Sequence, residues 1–208
     1  MDTGALSYPN VTRMVADFHD PPWSAPLDVA ACLAAIPDDA TVKGLFLLPM
    51  VAEAQRLGVV LPGARERYLP FSDYPLTEHA TLLVEAARVL FPDASMREGL
   101  RKLGRAAQRA FRETTIGKVI WSTAEHLHGA LDSVAKGYAL TSFPSRVAVV
   151  EKGPSVAHVR FEEVHYFIDS HHVGIFEGVM RACGVRGSVR VRLDSPSSGE
   201  FLLTWASD

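Results

Sequence analysis

The run Val164-His165-Tyr166-Phe167-Ile168-Asp169-Ser170-His171-His172-Val173-Gly174-Ile175-Phe176-Glu177-Gly178-Val179-Met180 separates two pairs of alternating strand patterns. Before it, Val147 and Val149 point one way, and Ala157, Val159 and Phe161 form the inward side of a second strand. Glu151-Lys152-Gly153-Pro154 supplies the turn between them. After it, Val189, Val191 and Leu193 oppose Arg190 and Arg192, Pro196-Ser197-Ser198-Gly199 turns the chain, and Phe201, Leu203 and Trp205 resume the period of two. Within the run the period lengthens: Phe176, Val179, Met180 and Cys183 share one helical face, and Gly184 stops the helix. Ser170 is placed to cap a helix starting at His171 or His172, and Glu177 and Arg181 stand four apart as a surface pair. The unit is therefore strand-strand-helix-strand-strand, with the helix over one face of a four-strand antiparallel sheet.

That helix leaves apolar surface that the first half must cover. The spacing predicts a short helix near Leu27–Ala35 and a longer one near Val42–Leu57, started or broken at Pro49. Further helices are predicted over Leu76–Leu90, Met96–Phe111 and Thr115–Val134. The expected fold is α+β, a helical N-terminal half packed on a four-strand antiparallel sheet with a ββαββ C-terminal core. Residues 1–40 read as an arm and short helix in which Trp23 is an anchor, and residues 41–208 as a single ligand-binding or adaptor domain.

With 21 basic and 24 acidic side chains and a formal charge of −3, bulk electrostatics attracts neither nucleic acid nor an anionic membrane. No apolar run reaches the length of a membrane span, no secretory signal is indicated, and a cytoplasmic protein is expected. Cys32 and Cys183 are too few and too far apart for a disulfide framework. The helix from Met96 carries Arg97, Arg101, Lys102, Arg105, Arg109 and Arg112 on its polar side, and Arg101, Arg105 and Arg109 are candidates for contact with a signalling or regulatory protein partner. Interleaved aromatic residues of the kind that stack bases are absent from that face.

His165, Asp169, His171 and His172 form the densest set of nitrogen and carboxylate ligands and are the candidate metal residues. His126 and His128 lie two apart and point in different directions from a regular helix, so they do not make a paired metal motif. Glu162 and Glu163 face opposite sides of a strand, Ser142-Phe143-Pro144-Ser145 is not a nucleophile elbow, and the chain has no phosphate-cradling glycine loop. No catalytic residues are assigned, and a non-enzyme is expected.

Thr41-Val42-Lys43-Gly44-Leu45-Phe46, Leu100-Arg101-Lys102-Leu103-Gly104-Arg105, Phe176-Glu177-Gly178-Val179-Met180 and the strands Val189-Arg190-Val191 and Phe201-Leu202-Leu203-Thr204-Trp205 resemble the myxobacterial domain-of-unknown-function 2378 family, from about Val42 to Trp205. The carboxy half also resembles the broader group of haem nitric-oxide-binding, vinyl-reductase-associated and trafficking-adaptor domains. The resemblance implies a domain that binds a small apolar ligand or acts as a dimeric adaptor. In its haem-binding branch it implies His128 as the axial group and Tyr166 and Ser170 within the propionate clamp. This sequence departs from that clamp, with Ile168 in place of serine and Ser170 in place of arginine.

The expectation is a noncatalytic bacterial sensory or adaptor domain, assembled as a homodimer, whose helix-sheet pocket is lined by Phe143, Tyr166, Phe176 and Trp205 and needs no cofactor. Three alternatives stay open: a divergent haem-binding gas sensor, a structural dimerisation domain and a metal-dependent enzyme.

Overall fold

Two antiparallel hairpins join through their second strands to make the main sheet. The structure is a computed structural model that describes residues 17–122 and 126–206, apart from the side chains of Ile116 and Ile120. The arm before Asp17 lies outside the described residues. Strands β4 (Arg146–Gly153) and β5 (Val156–Glu162) form the first hairpin, β6 (Gly187–Ser195) and β7 (Ser198–Trp205) the second, in the order β4-β5-β7-β6. Central β7 buries its residues from Gly199 through Leu203, while edge strand β4 is half-buried to exposed and has a register shift between Val149 and Glu151.

The expected face is buried: Ala157, Val159 and Phe161 pack with Val191, Phe201 and Leu203 in the core. Helix α7 (Val173–Ala182) covers it, with Phe176 meeting Phe161 and Phe201 at ring-centroid distances of 5.7 and 4.8 Å. The opposite face holds a charged network around Glu200, which binds Arg160 and Arg192 and faces His158. Phe18 packs edge-on to His158, and His19 pairs by two backbone hydrogen bonds with Val191, so Phe18 and His19 dock on this sheet.

The helical half contains α1 (Val29–Ala34), α2 (Leu48–Arg56), α3 (Leu76–Leu90), α4 (Met96–Glu113), α5 (Thr115–Trp121) and α6 (Leu127–Thr141). Helix α3 keeps its expected bounds because Leu76, Ala80, Leu83 and Ala87 repeat along one buried face. Ser95 caps α4 by accepting a hydrogen bond from the Glu98 amide.

Two expected helices are shorter. Thr41–Lys43 is strand β1, the middle of a second sheet between β2 (Asp73–Pro75) and β3 (Ser142–Phe143), and a single 3-10 turn follows before α2. Pro49 falls in the first turn of α2, where its missing amide costs nothing. The helix expected over Thr115–Val134 divides into α5 and α6, and residues 123–125 lie outside the described residues.

Helices α4 and α7 meet at near-contact backbone distance. A Cβ on Gly104 would stand 2.0 Å from the His171 carbonyl oxygen, and one on Gly174 would stand 2.0 Å from that of Arg101. Glu177 of α7 binds Arg101 and Arg105 of α4 instead of the expected Arg181, and Asp169 binds Arg97.

Candidate functional site

Between β5 and α7 the backbone departs from regular geometry. Glu163 and Phe167 have φ of 56° and 46°, the left-handed region that non-glycine residues rarely occupy. Ile168–His172 then forms a π-helical turn ahead of α7, an irregularity frequent at functional sites. Ser170 therefore does not cap a helix: it lies inside the turn, fully buried, and its hydroxyl is directed at the Phe167 carbonyl. This path brings Tyr166, His171 and His172 together, with ring centroids 6.0 Å apart for Tyr166 and His171 and 4.6 Å for Tyr166 and His172. From α3, His79 meets the same tyrosine at 5.4 Å, and from α6 Tyr138 meets His172 at 5.8 Å.

The rings of His79, Tyr138, Tyr166 and His171 close the inner end of a cavity of about 220 Å³. Its walls are apolar: Met50 from α2, Leu83 from α3, Leu103 and Phe111 from α4, Val134 from α6 and Ile175 from α7. Phe46 and Phe111 stack across it at 5.8 Å with planes 3° apart. Toward the surface it is bordered by Glu53, Arg109, Glu113 and Trp121. No strand of the main sheet contributes, so the space lies among helices and the turn that follows β5, not between helices and sheet as the sequence suggested.

Three buried polar atoms in this wall have no hydrogen-bond partner among the described residues: His79 Nδ1, Gln108 Nε2 and His171 Nδ1. The hydroxyls of Tyr138 and Tyr166 are directed at each other. Burial disfavours a charge on each ring. The imidazole of His79 is pushed down to about 3 and that of His171 to about 4, His172 lies well below the ordinary histidine value, and Tyr166 is pushed up to about 12. At neutral pH the inner end is polar and uncharged.

Of the residues singled out from the sequence, Tyr166 and His171 line the cavity. Phe143 does not, being 58% exposed at the end of β3. Phe176 is committed to the sheet-facing core, and Trp205 packs against His128 at 5.4 Å. His128 thus lies beside Trp205 at the end of β7, its buried Nε2 without a hydrogen-bond partner. Of the candidate metal residues, His171 and His172 have ring centroids 5.4 Å apart, Asp169 is held by Arg97, His172 directs Nδ1 at the Phe167 carbonyl, and the Tyr166 ring stands against His79, His171 and His172. No group of three histidine, cysteine, aspartate or glutamate side chains among the described residues is arranged to hold a metal ion. Arg101 and Arg105 are engaged within the chain by Glu177, and Arg101 also lies over the Trp23 ring at 3.9 Å. Arg109 alone of that trio stays exposed, at the outer end of the cavity.

His79, Gln108 and Tyr138 were missed, although each sits on the apolar face of its helix. A polar side chain in such a stripe is the signal that could have found them.

Solved structures share this fold at low identity. An Fe(II) unliganded H-NOX protein from K. algicida superposes with a TM-score of 0.60 at 11% identity, covering 80% of this chain and 97% of that one. An H-NOX domain from Shewanella oneidensis in the Fe(II)CO state gives 0.62 at 10%, covering 80% and 99%. A further H-NOX structure concerns haem distortion in that family, with a TM-score of 0.60, 13% identity, and 80% and 95% covered. The donor set implied for haem does not assemble here. His128 faces Trp205, buried Ile168 offers no hydrogen bond, and the Ser170 hydroxyl is turned to backbone, leaving Tyr166 alone at the cavity. Among the described residues no helix is long and apolar enough to cross a membrane. No curated protein matches the sequence. The model of the family described as "Protein of unknown function (DUF2378)" matches residues 35–206, and the chain belongs to that family.

Proposed function

We propose that this chain is a sensory domain that binds a small, largely apolar organic molecule carrying a hydrogen-bonding group at its buried end. The observation that carries the reading is the convergence of neutral polar groups from His79, Tyr138, Tyr166 and His171 on an otherwise apolar cavity, where His79 Nδ1 and His171 Nδ1 have no partner. A buried amide, hydroxyl or imidazole left without a partner costs about 1–3 kcal/mol, and a ligand that completes those bonds recovers it. The H-NOX-like arrangement of helices over a ββαββ core supports a sensory role.

The reading predicts saturable binding of a neutral apolar fluorophore such as N-phenylnaphthylamine to the purified chain. Leu103→Trp, which fills the middle of the cavity, should abolish that binding while circular dichroism stays unchanged. Absence of binding, binding indifferent to the Trp substitution, or a Soret band in the purified protein would overturn it. Native mass measurement of the same sample reads both a retained ligand and the homodimer expected from the sequence.

A further inference from the structure

A second depression of about 440 Å³ opens beside the cavity and shares Leu103, Gln108 and Arg109 with it. Its walls differ in character. Lys102, Arg105, Arg109 and Arg112 of α4 and Arg181 of α7 line it, against Glu53, which is bidentate to Arg56 and also within the field of Arg109, and with Glu113 on the neighbouring cavity rim. Arg105 is held by Glu177, Lys102 lies 5.2 Å from the Phe91 ring and Arg112 lies 4.8 Å from the Trp121 ring. Arg109 and Arg181 have no carboxylate within ion-pair distance among the described residues, and both are exposed. At the junction Gln108 is 7% exposed, and its Nε2 lacks a partner.

We infer that cavity and groove are one bipartite site for an amphipathic anion: the apolar chain enters the cavity, and a carboxylate at its outer end lies between Arg109 and Arg181, with the Gln108 amide donating to it. Two unpaired guanidiniums and an orphan buried amide on a shared rim match such a head in charge and in donors. The chain's overall charge of −3 makes this concentration of cations local. The inner end has no charged partner to offer, so an anion is directed outward. This assignment rests on the cavity reading above and adds the ligand's charge and orientation.

Titration calorimetry of the purified full chain with decanoate and with decanol tests it. Decanoate should bind about tenfold or more tightly than decanol at low salt, and the gap should narrow at high salt because the guanidiniums are exposed. Arg109→Gln/Arg181→Gln should bring decanoate to the affinity of decanol and leave decanol unchanged. Both substitutions are on exposed side chains, so folding is not at stake. Equal binding of the two probes to the wild-type chain, or a carboxylate preference that survives the double substitution, overturns the anionic head site while leaving the cavity reading standing. Binding of neither probe overturns both.

Discussion

Gln108 buries an amide whose Nε2 meets nothing, on a helix face otherwise built from Leu100, Leu103, Gly99 and Gly104. Fold stability alone would favour an apolar side chain there, because an unsatisfied buried amide costs about 1–3 kcal/mol. Gln108→Met keeps the length of the side chain and removes the polar group. The variant should be as stable as the wild type or more so, by up to about 2 kcal/mol, and should bind decanoate more weakly. Thermal unfolding and calorimetry on the same sample read both quantities. Marked destabilisation of the variant would show that the amide is structural. The neighbouring cations of α4 illustrate why residue roles were hard to assign from sequence. Arg97, Arg101, Arg105 and Arg109 share a polar side, yet Asp169 and Glu177 bind the first three, and among the described residues no carboxylate lies within ion-pair distance of the fourth. Those carboxylates are more than seventy residues away in the chain, and no local spacing announces them.

Elements with a long, uninterrupted period were legible. Helix α3, both main hairpins and the stop at Gly184, whose φ is 72°, stand where the apolar spacing puts them. Elements defined by only three residues were not: β1 and β2 owe their pairing to the chain around them, and Thr41–Lys43 is too short to show a period of two. The π-helical turn at Ile168–His172 was also hidden, since its cause is the left-handed backbone at Phe167, which composition does not signal. Tyr166 was recognised through resemblance, but the partners that give it meaning come from α3 and α6. The glycines of α4 and α7 record how closely the two helices must sit to hold that turn. Gly174→Ala would put a Cβ 2.0 Å from the Arg101 carbonyl oxygen, an obstacle that cannot swing aside. We expect a loss of about 1–3 kcal/mol, or roughly 2–10 °C in Tm for a chain of this length, together with weaker binding because Ile175 and Leu103 are pushed apart. Gly137→Ala is the control for Tm alone, since a Cβ there meets nothing within 4 Å although the residue lines the cavity. Equal effects of the two substitutions on Tm would refute the packing argument.

For the whole molecule, the uncharged inner end of the cavity has a thermodynamic consequence. His79 and His171 are held at about 3 and about 4 by burial, against an ordinary value of 6.5, and His172 is also displaced downward. Above pH 6.5 these rings are neutral whether the chain is folded or unfolded, and their contribution to stability is fully present. As pH falls below 6.5 the unfolded chain takes up protons that the folded chain refuses, so stability declines until the folded values are reached. Each such histidine adds a slope of up to about 1.4 kcal/mol per pH unit. Glu78 and Glu177, lowered by their arginine partners, act in the same direction only below their ordinary value of 4.5. The interval from pH 6.5 to 4.5 is therefore the histidine window. Urea unfolding across it should show stability falling with decreasing pH, and His79→Gln should flatten the slope by about one histidine's share from pH 6.5 down toward pH 3, where the folded His79 itself takes up a proton. A wild-type stability that stays level from pH 6.5 to 4.5 would mean that water or charge reaches the imidazoles, and the inner end of the cavity would no longer be the neutral surface on which the ligand assignment depends.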